Sequence, residues 1–71
     1  MRLSFKKLSM KIVEEYGTQS LFAEHMGMSE RTLSLKLNDK RDFKTKEIIK
    51  ACELLDIEGA DVLDYFFCKV S

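Results

Sequence analysis

The stretch QSLFAEHMGMSERTLSLKLN, residues 19–38, decides the fold of this chain. Phe22 and Met26 lie four residues apart, which places both side chains on one face of an α-helix. Leu33 and Leu37 repeat that spacing further along the chain. We therefore predict two short helices in close succession. Their predicted bounds are Gln19–Met26 and Ser29–Leu37.

A tight turn is expected between these two helices. Gly27 falls between them and can adopt the left-handed backbone conformation in which helices commonly end. Ser29 is the predicted N-cap of the second helix, because its hydroxyl can accept an early backbone N–H. Ala23 is small enough to let the two helices cross closely, and Asn38 ends the unit.

The rest of the chain predicts three further helices. Gly17 is expected to end the first helix, and Ser4, Thr18 and Thr45 are expected to cap the first, second and fourth. The chain has no Pro and only three Gly, which favours helices over strands and hairpins. We therefore predict one compact all-α domain of five helices spanning residues 1–71. The three further helices are predicted at Leu3–Tyr16, Lys46–Leu55 and Ala60 to about Phe67.

Apolar side chains on the outer helices indicate the core. Phe43, in the polar connection 38–44, is expected to fold back onto it. The last helix carries more large apolar residues than one face of a small core needs, so some form a candidate dimer surface. Aromatic core packing is the alternative. The inward residues are predicted to be Phe5, Leu8, Ile12 and Tyr16 on the first helix and Ile48, Ile49, Cys52 and Leu55 on the fourth, and the candidate dimer surface is Val62, Phe66 and Phe67.

The chain carries twelve basic and twelve acidic residues, distributed unevenly. Residues 1–50 hold eleven Lys and Arg against seven Asp and Glu, a balance of +4, whereas residues 51–71 have a balance of −4. A basic face could still meet phosphates, but the total neutralising capacity is modest. Any DNA affinity of a monomer is therefore expected to be weak and sensitive to salt.

The sequence offers little for catalysis or metal binding. It has no Gly-rich phosphate loop, and its single histidine, His25, lies on the polar side of a short helix, where we expect a surface residue. Cys52 is expected to be a buried reduced thiol and Cys68 a free thiol, because their spacing does not suit a metal. No apolar run reaches membrane-spanning length. We predict a non-enzymatic cytoplasmic protein without a cofactor.

Residues 19–38 resemble the helix-turn-helix of phage repressors and their Cro-type partners. The matching positions are Gln19, Ala23, Gly27, Ser29, Leu33 and Asn38. The family usually has an apolar residue three positions after Leu33, where this chain has Lys36, and we expect Leu37 to take over that role. The resemblance implies a lambda-repressor-like fold, with Gln19 hydrogen-bonded to a phosphate near the helix N-terminus. A solvated polar residue at that position is the alternative.

The second helix of the motif presents candidate contacts for DNA or protein. Arg31 suits bidentate contact with guanine, and Glu30 can accept a hydrogen bond from cytosine. Leu35 is rotated by about 200° from its inward neighbours, so it is expected to point outward and touch a thymine methyl or anchor a protein partner. Packing against a side of the core is the alternative for Leu35. The full candidate set is Gln19, Ser20, Ser29, Glu30, Arg31, Ser34, Leu35, Lys36, Asn38, Lys40 and Arg41.

Nearly the whole chain, with KIVEEYGTQSLFAEHMGMSERTLSLKLN at 11–38 as its signature, resembles the modulator-of-repression (antirepressor) proteins of temperate phages of Gram-positive hosts. This resemblance implies a regulator of the lysis–lysogeny switch that complexes a CI-type repressor through the repressor's N-terminal DNA-binding domain. The zero net charge and the acidic last third agree with a protein partner. The alternative is a Cro-like homodimer that binds operator DNA by itself, with two reading helices about 34 Å apart.

Overall fold

Five α-helices and one small sheet form the fold of residues 2–69, which the computed structural model describes. Met1, Val70 and Ser71, which the predicted domain includes, lie outside the described residues. The helices are α1 Lys6–Tyr16, α2 Gln19–Met26, α3 Glu30–Leu37, α4 Thr45–Leu55 and α5 Val62–Phe66, and the strands are β1 Leu3–Ser4 and β2 Cys68–Lys69. The prediction of a compact all-α domain with five helices is confirmed.

The core lies where α1, α2 and α3 pack together, with α4 and α5 closing it. Burying a large aliphatic or aromatic side chain stabilises a fold by about 1.5–3 kcal/mol, so this cluster dominates the stability of the molecule. The small residue Ala23 is 1% exposed, which agrees with a close approach of α2 to its neighbours. The buried residues are Phe5, Leu8, Ile12, Phe22, Ala23, Met26, Leu33, Leu37, Ala51, Leu55, Ile57 and Phe66.

The start of the first helix differs from the prediction. Leu3 pairs with Lys69 and Ser4 with Cys68 in an antiparallel two-stranded sheet, so α1 begins at Lys6 and Ser4 is not its N-cap. The pairing partners stand more than sixty residues apart in the sequence, and helical periodicity carries no information about such a contact. The sheet brings the two ends of the described chain together.

The helix, turn and helix of residues 19–38 form as predicted. Thr18 Oγ1 accepts the backbone N–H of Leu21 at 3.1 Å, and Ser29 Oγ accepts that of Thr32 at 3.1 Å. Gly27 has φ +78°, in the left-handed region, and its N–H bonds to a carbonyl of the preceding turn of α2. These three contacts fix where α2 begins and ends and where α3 begins.

The inward face of the fourth helix agrees with the prediction at Leu55, Ile48 and Cys52 but not at Ile49. Ala51 and Leu55 are buried, whereas Ile49, which was predicted to point inward, is 54% exposed. The buried stripe is centred on Ala51, and Ile49 lies beyond its edge. Thr45 is the first helical residue, so the N-cap is Lys44 and not Thr45. The backbone N–H of Lys44 donates to the carboxylate of Glu47 at 2.9 Å.

The last helix is shorter than predicted and gives the core an aromatic side chain. A single 3₁₀ turn, Gly59–Asp61, precedes α5. Phe66 is 1% exposed, so its assignment to a dimer surface is wrong. Its ring packs edge-on against Phe43 at 5.3 Å between centroids, and Phe43 in turn packs against Phe5 at 5.3 Å. The prediction that Phe43 folds back onto the core is therefore confirmed, while Phe67 is 46% exposed.

Tyr16 ties the end of α1 to two other helices. Its hydroxyl donates to the backbone carbonyl of Leu54 in α4 at 3.2 Å, and its ring packs edge-on against Phe22 of α2 at 5.1 Å. His25 is exposed, as predicted, and packs edge-on against the Tyr16 ring at 5.0 Å between centroids. These contacts hold the C-terminal end of α1 against α2 and α4.

Candidate recognition surface

A shallow groove of about 320 Å³ lies between the start of α2 and the outer side of α3. We call its lining the recognition face. The lining residues are Gln19, Glu30, Arg31, Ser34 and Leu35. All five belong to the predicted contact set, and they come together because the turn at Gly27 brings the start of α2 beside α3.

The recognition face combines one apolar side chain with two opposite charges. Leu35 is half-buried, so it points outward as predicted without being fully solvated. Glu30 and Arg31 are exposed neighbours on the first turn of α3, and neither forms a salt bridge with another described residue. Ser20 and Ser29 are exposed beside the groove. The charges of the two ionised side chains that line the groove therefore sum to zero.

Lys36 does not belong to this surface, and its prediction as an outward contact is wrong. The residue is 4% exposed, and its Nζ donates to the carbonyl of Asp42 at 3.1 Å and forms an ion pair with the Glu47 carboxylate. The aliphatic stem of Lys36 occupies an apolar position of the helix, while the ammonium group reaches the edge of the core. Leu37 is 8% exposed and belongs to the core, as expected, and Lys36 is buried beside it.

Glu47 serves two donors at once. Burial alone would raise the pKa of Glu47, but hydrogen bonds from Lys36 and from the Lys44 backbone N–H outweigh it, so that the pKa lies below its ordinary value of 4.5. The carboxylate is therefore charged at neutral pH. It fastens the end of α3 to the start of α4.

The connection after α3 is more ordered than a solvated loop. Asn38 Nδ2 donates to the Ser34 carbonyl at 2.8 Å, which commits its amide to the end of α3. Asp39 adopts a left-handed backbone, φ 57°, and its Oδ2 accepts the N–H of Leu3 at 2.9 Å. Lys40 and Arg41 are exposed, with their side chains available for a partner.

One lysine near the turn makes a contact that the sequence does not predict. Lys50 Nζ donates to the carbonyl of Met26 at 3.4 Å, at the C-terminal end of α2. A cation at that position is stabilised by the partial negative charge of the helix end. The only signal for it was a basic residue on an exposed side of α4, which many solvated lysines share.

Two kinds of site are absent from residues 2–69. None of the helices over that range is long and apolar enough to cross a membrane. Within the same range, no group of three or more His, Cys, Asp and Glu residues is arranged to hold a metal ion.

The architecture defines the class: a compact all-α domain of five helices in which a tight turn joins α2 to α3. Within that class the chain belongs to the family described as protein of unknown function (DUF739), which matches residues 1–69.

One solved structure is similar over almost the whole chain. It is the solution structure of the modulator of repression (MOR) of the temperate bacteriophage TP901-1 from Lactococcus lactis. The two chains are 49% identical and superpose with a TM-score of 0.80, over 94% of this chain and 90% of that one. No curated protein matches the chain. The similar protein is named as a modulator of repression, which is a regulator of a temperate phage.

Proposed function

We propose that this chain is a phage transcriptional regulator that acts in the host cytoplasm as a modulator of repression, or antirepressor. In this proposal it binds the N-terminal DNA-binding domain of a CI-type repressor through the recognition face. The similarity to a phage modulator of repression at 49% identity supports the regulatory role. The choice of a protein partner rests on the chemistry of the face itself.

The observation that carries this choice is the missing positive charge on α3. Lys36 is neutralised by Glu47 inside the molecule, which leaves Arg31 as the exposed basic residue of α3, and the charge of Glu30 offsets that of Arg31 without pairing with it. A protein that binds DNA through its phosphates needs several unpaired basic side chains on the binding surface, because each neutralised phosphate adds affinity by counterion release. The half-buried Leu35 instead offers apolar area to a protein partner, and Arg31 is a residue type enriched in protein interfaces.

The second candidate is a Cro-like homodimer that binds operator DNA without a repressor. Gln19 at the start of α2 and the exposed Arg31, Lys40 and Arg41 favour it, since they can meet phosphates or base edges. Two reading helices would then lie about 34 Å apart in successive major grooves. Phe67 is exposed and Val62 is half-buried, so these two residues stay available to a dimer contact.

A binding titration at two salt concentrations separates the two candidates. Labelled operator DNA from the phage's early promoter region is titrated with this protein alone, then with the repressor's N-terminal domain, then with both. We expect weak binding alone, a stable protein–protein complex and an altered repressor–DNA isotherm. Tight, sequence-dependent binding by the protein alone, falling steeply with salt, would overturn the proposal in favour of the Cro-like candidate.

Leu35→Asp tests the recognition face directly. We expect this variant to weaken the binding free energy for the repressor domain by about 2 kcal/mol or more, because it replaces the one apolar residue that lines the groove with a charged one. Leu63→Asp is the matched control, since Leu63 is 69% exposed on α5 and does not line the groove. Equal affinity of the two variants, both still folded by circular dichroism, would exclude the recognition face as the binding surface.

A further inference from the structure

A second groove, apolar and wider, runs along α4. It encloses about 450 Å³, within the range of about 300–1,000 Å³ typical of ligand pockets. We call it the α4 groove. Its apolar lining is Ile48, Ile49, Cys52, Ile57 and Val62. None of these residues lines the recognition face, so the two surfaces are distinct.

The apolar lining of the α4 groove is accessible to a partner. Ile49 is 54% exposed, and Ile48, Cys52 and Val62 are half-buried. Burial raises the pKa of the Cys52 thiol, which keeps it uncharged at neutral pH and suited to an apolar wall. Only Ile57, at 8% exposure, is already fully packed. Covering the rest would remove a continuous apolar surface from water.

The lining of this groove contains carboxylates and no basic side chain. Glu53 and Asp56 line it, and Glu58 and Asp61 are exposed in the turn that follows. None of the four forms a salt bridge with another residue of the described chain. The surrounding segment, residues 51–71, has a balance of −4. The charge of this segment therefore favours a partner with basic groups over nucleic acid.

The turn before α5 contributes one glycine to the groove. Gly59 belongs to the lining, and a Cβ added there would meet no atom within 4 Å. Its backbone lies outside the left-handed region, so a side chain at this position is unstrained. Gly59 therefore offers a position from which the groove can be filled without disturbing the fold.

We propose that the α4 groove binds an amphipathic helix of a partner protein, with large aliphatic side chains in the groove and Lys or Arg along both edges of its apolar stripe. The aliphatic groups would cover Ile49 and its neighbours. The basic groups would pair with Glu53 and Asp56. This surface is separate from the recognition face, and the proposal does not depend on the repressor as partner.

The test uses a synthetic helical peptide as its probe. The peptide is about 15 residues long, because shorter helices are marginal in water, and carries Leu at helical spacing flanked by Lys in an Ala background. A second peptide has Glu in place of every Lys. Each is titrated into the isotopically labelled full-length protein and followed by two-dimensional NMR. We expect saturable shifts at Ile49, Cys52 and Val62 with the Lys peptide only.

Two variants locate the contact. Ile49→Ser removes exposed apolar surface, and Gly59→Leu adds a large side chain to the lining of the groove. We expect each variant to lower the affinity for the Lys peptide by about tenfold or more, which corresponds to about 1.4 kcal/mol. Met10→Ser is the matched control, because Met10 is 64% exposed on α1 and lies outside the groove. Thermal melting of each variant verifies that the fold is retained.

Several outcomes would overturn this proposal. One is the absence of saturable shifts at the groove, and another is equal binding of the Glu peptide, which would remove the role of the carboxylates. Equal weakening by Met10→Ser would show non-specific adsorption. Groove shifts that depend on protein concentration without any peptide would assign the surface to a second copy of this chain.

Discussion

The ammonium group of Lys36 is the most constrained charge among the described residues. It is held by the carboxylate of Glu47 and the carbonyl of Asp42, and it lies 5.9 Å from the ring centroid of Phe43. A buried ion pair adds little net stability over an apolar pair, but losing one partner leaves an uncompensated charge. We therefore expect removal of the carboxylate to lower the free energy of unfolding more than removal of the ammonium group.

We expect Glu47→Gln to lower the free energy of unfolding by about 1–3 kcal/mol, since it leaves Lys36 charged and without a counter-ion. Lys36→Met should stay within about 1 kcal/mol of the wild type, because Glu47 is partly solvated and an aliphatic chain still fills the apolar position. Urea denaturation of both variants measures the difference. A larger loss from Lys36→Met would show that the hydrogen bond to Asp42 matters more than the charge balance.

Stability should also depend on pH through the same carboxylate. The pKa of Glu47 is lower in the folded state than its ordinary value of 4.5. Its contribution is therefore fully present above that value and is lost as the pH falls through the lower, folded-state pKa. We expect the melting temperatures of wild type and Glu47→Gln to converge between about pH 5 and pH 3. A difference that stays constant over this range would contradict the assignment.

Among the helices, the turn between α2 and α3 depends on one backbone conformation. Gly27 has φ +78°, and an added Cβ would meet Lys50 Nζ at 3.9 Å, an ordinary contact, with no closer atom of residues 2–69 outside its own chain neighbours. A substitution there is thus limited by backbone strain and not by space. The relative position of α2 and α3, and with it the recognition face, depends on this residue.

We expect Gly27→Ala to lower stability by about 1–2 kcal/mol, the cost of a left-handed conformation for an L-residue. For a domain of this size, each 1 kcal/mol corresponds to a melting temperature about 4–8 °C lower. Gly59→Ala is the matched control and should be neutral or stabilising by up to about 1 kcal/mol, because its backbone is unstrained. Similar losses at the two glycines would point to a general effect of removing glycine.

Across the whole molecule, packing is strongest in the first three helices and weakest at the joined ends. The core is built mainly by α1, α2 and α3. The sheet of Leu3–Ser4 with Cys68–Lys69 has two residues in each strand, and α5 is a helix of five residues. Elements this short are not stable alone, so they depend on docking to the rest.

Hydrogen exchange should reveal this gradient. We expect the amides of β1, β2 and α5 to exchange faster than those of Ile12 and Leu33 at the centre of the core, because local opening needs less free energy where few apolar contacts are lost. Amide exchange followed by NMR measures the difference. Equal protection throughout would mean that the ends unfold only together with the core.

The sequence by itself determined the helix-turn-helix and its boundaries. The spacing of Phe22, Met26, Leu33 and Leu37, the caps Thr18 and Ser29, and the left-handed Gly27 all act within one or two helical turns. Local signals of this kind can be read from neighbouring residues because the atoms that respond to them are a few positions away. The outward direction of Leu35 follows from the same geometry.

Only the tertiary structure decided which of the remaining residues face inward. Lys36 looked like a surface cation until Glu47, eleven residues away, provided its counter-ion. Phe66 looked equally suited to a dimer surface until Phe43 enclosed it. The sheet between the chain ends and the α4 groove likewise arise from residues distant in sequence. Such contacts are set by how whole helices pack, and periodicity within a single helix does not record its neighbours.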